Sequence, residues 1–258
     1  MISLPGLLAA KQMTDGGFRT EIPPEWQQGR TAYGGFSAAL AYEAARGAAD
    51  DLPPLRSAQI SFVGPLSGTV EITAKLLRRG KNAAFIQADV VGEAGIGLTG
   101  TFVFMREMES TVHLAADAPP PDHPRPAAAE VPQGVGPAFV GMFDMGVMET
   151  GADGRPADIV RWIRLKDRQH LDPMTELLAI GDALPPAALP LMTKVAPVSS
   201  LTWMFNALTP NPVSADGWWL LRSTSDHIEH GNTSQDMSMW NADGTLVVRA
   251  MQSIALFG

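Results

Sequence analysis

One arrangement occurs twice along this chain: a helical run, then an extended segment, then hairpin-like strands. Tyr33-Gly34-Gly35-Phe36-Ser37 opens an Ala-rich helical run, and residues 56–62 follow as a strand that ends in Val63-Gly64-Pro65-Leu66. Past the midpoint, residues 173–184 read as a second helix and residues 198–205 as a second strand, ending in Asn206-Ala207-Leu208. A supersecondary unit made twice implies two similar half-domains, and 258 residues are enough for two cores of ordinary size. A cleft between related halves can carry a site that neither half builds alone.

Local patterns fill in this frame. Phe36, Leu40 and Ala44 recur at helical spacing just after the two glycines, whereas Ala58, Ile60 and Phe62 alternate with Gln59 and Ser61 as in a half-buried strand. Residues 70–77, 84–91 and 98–105 continue as strands, with Arg78-Arg79-Gly80-Lys81-Asn82 as a basic turn. Residues 115–137 are dominated by Ala, Asp and Pro, including Pro119-Pro120-Pro121, which suits neither helix interiors nor ladders. They are predicted to link a first half, 1–114, to a second, 138–258. In the second half the pattern predicts strands at 139–148, 159–165, 198–205, 218–223, 233–240 and 246–256, with Asn241-Ala242-Asp243-Gly244 as a hairpin turn. Asp172-Pro173 supplies an N-cap and a first helical residue. Neither half alternates strand and helix as a doubly wound sheet would, so the class is α+β with antiparallel sheets.

Composition removes several functions. A formal net charge of −8 opposes nucleic-acid binding, which draws on clustered Lys and Arg, while leaving room for a small anionic ligand. With no Cys, disulfides, thiolate nucleophiles and Cys-ligated metals are excluded. No basic stretch precedes the apolar residues at the N-terminus and no apolar run is long enough for a bilayer, so a soluble cytoplasmic protein is expected. Gly95-Ile96-Gly97-Leu98-Thr99-Gly100 matches the dinucleotide fingerprint, but a strand follows it where the fingerprint needs a helix, and it reads as a hairpin. Asp226-His227-Ile228-Glu229-His230 gathers metal-binding types, yet on a strand its two histidines face opposite ways, so a strand edge is expected and no metal.

Three positions carry chemistry. Glycines at Gly34 and Gly35 bring backbone N–H groups and a helix N-terminus close to a ligand, where a developing oxyanion is stabilised. Asp182 is an acid near the end of a mostly apolar helix, and Gln252 interrupts an apolar strand. Polar groups placed toward a core need partners, so these two are expected to find each other, a hydroxyl or a water.

Tyr33-Gly34-Gly35 before the Ala-rich helix, Arg56 with Phe62-Val63-Gly64-Pro65-Leu66, and Leu77-Arg78-Arg79-Gly80-Lys81 together resemble the TesB-like (type II) acyl-CoA thioesterases over nearly the whole chain outside the linker. The resemblance implies a tandem (double) hotdog, each half an antiparallel sheet wrapped around a long central helix. It also implies hydrolysis of acyl-CoA by an activated water, without cofactor or metal. Carried over by motif, the catalytic residues fall on Asp182, Ser200 and Gln252, with Tyr33, Gly34 and Gly35 at the oxyanion or substrate and Arg78, Arg79 and Lys81 at the CoA phosphates. The sequence departs from the family at Thr202 and Trp203, where the best-known members carry an Asp-His pair, and a one-residue slip in that strand would replace Ser200 by Ser199 or Leu201. Two other readings stay open: an acyl-CoA or acyl-carrier binding protein without hydrolysis, and an enoyl-CoA hydratase using an acid/base pair, for which His170 is the nearest candidate. Exposed sheet edges offer a route to association with a second copy.

Overall fold

Phe36, Ala38, Ala39, Leu40, Ala41 and Ala45 have no exposed surface, so the first long helix is buried on every side and must be enclosed by sheet and by a second helix. The computed structural model describes residues 1–114, 120–127, 136–194 and 196–257. The first half comprises α1 (Leu4–Ala10), β1 (Gln12–Thr14), β2 (Gly17–Ile22), β3 (Gln27–Gln28), β4 (Thr31–Ala32), α2 (Gly34–Gly47), β5 (Leu55–Phe62), β6 (Gly68–Arg79), β7 (Ala83–Gly92) and β8 (Gly95–Met105). The second comprises β9 (Phe143–Met145), β10 (Glu149–Thr150), β11 (Asp158–Leu165), α3 (Pro173–Gly181), β12 (Val198–Ala207), β13 (Trp219–Glu229), β14 (Asn232–Trp240) and β15 (Leu246–Leu256).

Apart from β3 and β4, which pair with each other, the strands form one sheet in the order β1-β2-β6-β7-β8-β5-β12-β15-β14-β13-β11-β10, with β9 beside β11. The series β2-β6-β7-β8-β5 is mirrored by β11-β13-β14-β15-β12, which is the duplication expected from the sequence. The halves meet where β5 pairs antiparallel with β12, Ser61 opposite Thr202 and Ala58 opposite Phe205. Two edges that the sequence leaves open are thus consumed by each other, and the sheet ends instead in β1 and β10, of three and two residues.

α2 and α3 lie antiparallel against each other and pack on the sheet. At one end the Asp172 carboxylate caps α3 through the N–H groups of Met174 and Thr175, as Asp172-Pro173 predicts. The same end is fastened to α2: Thr175 Oγ1 donates to Glu43 at 2.5 Å, Tyr42 Oη donates to Asp172 at 3.2 Å, and Arg46 lies 3.2 Å from Asp172. At the other end, a Cβ on Gly35 would sit 2.7 Å from the Ala179 carbonyl oxygen. Glycine is what lets the start of α2 touch the last turn of α3.

Several predicted elements shift. Only β9 is extended within 139–148, because Ala138–Met142 coils into a 3₁₀ turn that turns Phe139 and Met142 into the core. The second helix stops at Gly181, short of Pro185-Pro186. Gly95 and Gly97 lie in the β7–β8 hairpin and the first residues of β8, as expected. Among the described residues, no three His, Asp or Glu side chains gather as a metal site, and Glu229 and His230 are exposed at the end of β13 and in the turn beyond it. Of the predicted linker, residues 115–119 and 128–135 lie outside the described residues. Its segment 120–127 runs over the outer face of the second half, where the His123 carbonyl accepts from Trp162 Nε1 at 2.9 Å beside the Val160, Trp218, Leu220 and Trp240 cluster. Among the described residues, no helix is long and apolar enough to cross a membrane.

Candidate active site

Asp182 follows the last residue of α3 and faces the first residues of α2. Gln252 Nε2 donates to its Oδ1 at 2.6 Å, and the Gly35 N–H donates to the same carboxylate. A Cβ on Gly34 would lie 2.5 Å from its Oδ2, so the glycine leaves room for the charge as well as for the helix. The positive end of α2 thus meets the carboxylate, offsetting the unfavourable position it holds at the end of its own helix.

Burial nevertheless dominates, lifting the Asp182 carboxyl to about 6 against the two hydrogen bonds that favour its ionised form. The group is half-buried, with part of its surface open to the cleft. A carboxylate with this affinity for protons is ionised at neutral pH yet is a stronger base than an exposed aspartate.

Gln252 is held in turn. Directly across the ladder, Gln235 donates from Nε2 to Gln252 Oε1 at 2.9 Å, and the Ala187 N–H donates to Gln235 Oε1 at 2.9 Å. Since a backbone N–H can only donate, Ala187 fixes which way both amides point, and the last N–H of the series is delivered to Asp182. Gln235 was not singled out from the sequence, although its signal equals that of Gln252: it shares the buried face of β14 with Thr233, Met237 and Met239. Replacing Gln235 by Leu strands the Ala187 N–H and the Gln252 oxygen, and thermal or urea unfolding is expected to register a loss of about 1–3 kcal/mol.

The hydroxyl is aimed by a bulge. Trp203 pairs with Gln252 and Thr202 with Ser253, but the next pair is Ser200 with Ile254, so Leu201 is left over. Without that extra residue, Leu201 would face inward opposite Ile254; with it, Ser200 does. Asp182, Ser200 and Gln252 all line one cleft of about 770 Å³, together with Gly34, Ser37, Phe62, Leu66 and Leu184. Ser199 and Leu201 lie at its rim.

Other expected positions fall elsewhere. Tyr33 is fully buried, stacks on Phe139 with ring centroids 4.0 Å apart, and donates its hydroxyl to the Ala179 carbonyl at 3.0 Å, so it joins the helices and does not line the cleft. Burial and the Asp182 charge hold its phenol protonated. The Gly35 N–H is already committed to Asp182, which leaves Gly34 as the glycine that lines the cleft. Arg78, Arg79 and Lys81 sit at the β6–β7 turn, level with Phe104, whereas the cleft opens level with Leu98 and Gly97, about 20 Å away along the strands. Arg79 is paired with Asp51 at 3.1 Å. Trp203 fills the core against Gly181, and His170 is exposed and outside the cleft, which no histidine lines among the described residues. The cleft does hold one cation missed in the sequence, Arg161 of β11.

Two family models match the chain: the acyl-CoA thioesterase N-terminal domain over residues 22–105 and the acyl-CoA thioesterase C-terminal domain over residues 115–256. Among solved structures, a hot dog fold protein of unknown function from Alicyclobacillus acidocaldarius superposes with a TM-score of 0.82 at 19% identity, covering 96% of each chain. The tesB protein of Mycobacterium avium subs paratuberculosis gives 0.77 at 18% identity over 99% of each chain. The acyl-CoA thioesterase II TesB2 of Mycobacterium marinum gives 0.72 at 18% identity over 95% of this chain and 92% of its own. At these identities the likeness shows the fold. No curated protein matches the chain. The two domain models, lying in tandem over nearly the whole length, show that the chain is a double-hotdog member of the acyl-CoA thioesterase family.

Proposed function

We propose that this thioesterase hydrolyses its acyl-CoA through a water held between Asp182, Ser200 and Gln252. The observation that carries the reading is the 2.6 Å hydrogen bond from Gln252 to a buried, high-affinity carboxylate at the wall of the cleft. Asp182 takes a proton from the water as the oxygen adds to the thioester carbon, and the Gln252 amide and the Ser200 hydroxyl fix that water's position. Gly34 offers its N–H, at the start of α2, to the oxyanion of the tetrahedral intermediate. Collapse expels the CoA thiolate, which recovers the proton from Asp182, so water and thioester become acid and thiol with no acyl-enzyme.

The reaction requires ionised Asp182. As pH falls through about 6, the carboxylate gains a proton and the base is lost. Turnover of acyl-CoA, followed by thiol release, is therefore expected to rise about tenfold per pH unit below that value and to level off above it. A profile flat from pH 4.5 to 8 would remove Asp182 as the base. Saturable binding of acyl-CoA with no thiol release at any pH would favour a binding protein on the same scaffold.

A further inference from the structure

Arg161 is the one cation among the described residues lining the cleft, and its position breaks the pattern of its strand. On β11, Ile159, Ile163 and Leu165 face the helices and belong to the main core, while Val160 and Trp162 face outward. Arg161 falls between Ile159 and Ile163 on the helix-facing side, opposite Leu221, itself a core residue. Its Nε donates to the Gly146 carbonyl at 2.8 Å, which orients the guanidinium. Its two terminal nitrogens have no hydrogen-bond acceptor and no carboxylate among the described residues. The cleft walls nearest in sequence to this strand, Phe139, Val140, Met145 and Met148, are apolar. Partly burying a guanidinium there costs free energy, and among the described residues only the hydrogen bond to the Gly146 carbonyl offsets it.

We propose that Arg161 receives a carboxylate at the far end of the acyl group, making this cleft selective for ω-carboxyacyl thioesters over plain hydrocarbon ones. The inference rests on the water-mediated hydrolysis described above. A guanidinium with its Nε already engaged still presents two terminal nitrogens, and a carboxylate can take hydrogen bonds from both. The phosphates of CoA are a poorer match. They carry several charges and favour a wet cluster of Lys and Arg, whereas Arg161 is the one cation lining the cleft among the described residues. The same arginine disfavours a methyl terminus, which would shield the guanidinium from water and give it no acceptor.

The test is a matched panel: plain and ω-carboxy acyl-CoAs of equal length from four to twelve carbons, with the same acyl groups on pantetheine, which lacks the phosphates. The wild type is expected to favour the carboxylate by about 10- to 100-fold in kcat/KM at the best length, on pantetheine as on CoA. Arg161→Met is expected to bring the two series to parity and to raise turnover of the plain chains several-fold. Arg161→Lys, which keeps the charge without the planar fork, is expected to retain part of the preference. A ratio unchanged in Arg161→Met overturns the proposal. So does an equal loss on both CoA series that spares the pantetheine thioesters, which would assign the arginine to a phosphate. Failure of the wild type to hydrolyse any of these thioesters refutes the hydrolytic reading on which the proposal stands, and differs from both.

Discussion

Asp182→Asn is expected to lower kcat by about 10³-fold or more while KM changes little, since the amide keeps the volume of the side chain but takes up no proton. The neighbours cannot adapt to it. Gln252 and Gly35 both direct N–H groups at this position, and the Ala187 N–H prevents the two glutamines from turning over, so the asparagine has a single oxygen left with which to accept from them. Stability supplies a second readout with a definite sign. The folded-state pKa of Asp182 is raised from 3.8 to about 6, so its contribution is fully present below pH 4 and is lost as pH rises through 6. The wild type is thus expected to lose up to about 3 kcal/mol from this group between pH 4 and 7, less in so far as the cleft solvates the charge. The asparagine variant lacks that decline. Unfolding curves at the two pH values measure it, and identical pH dependence in both proteins would contradict the burial on which the base strength rests.

Gly34→Ala is expected to cost about 10²-fold in kcat in a protein that still folds. The backbone there is ordinary helix, so alanine is conformationally acceptable. The damage is local: the new methyl would stand 2.5 Å from Asp182 Oδ2 and 3.0 Å from the Phe62 ring. Either the carboxylate moves or the start of α2 does, and a displacement of about 1 Å in a positioned catalytic group commonly costs this much. Gly35→Ala makes a useful contrast. Its methyl meets the backbone carbonyl of Ala179 at 2.7 Å and Tyr33 Oη at 2.6 Å, so it pushes the helices apart and is expected to lower the melting temperature as well. Activity and thermal denaturation measured on both variants separate the two effects. Equal activity in Gly34→Ala and wild type would exclude close packing of that glycine on the working carboxylate.

The duplication was legible because each half repeats helix, strand and hairpins in the same order, with Gly34-Gly35 and Asp172-Pro173 marking the two helix starts. The polar residues Asp182 and Gln252 were legible as interruptions of apolar faces. What sequence could not supply was the pairing across the molecule. The insertion of Leu201 into β12 depends on its register with β15, which no local pattern encodes, and the join of β5 to β12 is a contact between segments more than a hundred residues apart. Residues 139–148 read as a strand from their apolar content, but Phe139 and Met142, three apart, share one face of a 3₁₀ turn, where both are buried. Gln235 and Arg161 were within reach: each is a polar residue at the inward position of an alternating strand.

The fastening of α2 to α3 at the end away from the cleft bears on why two units share one chain. Under the mirror relation of the halves, that end is the counterpart of the end where Asp182 meets Gly34, and in a dimer of identical units both ends would have to be the same. Here the counterpart is occupied by Glu43, Arg46, Asp172 and Thr175, held in mutual contact. Within one chain the two ends need not be alike: one is closed by these contacts, and the other opens onto the cleft.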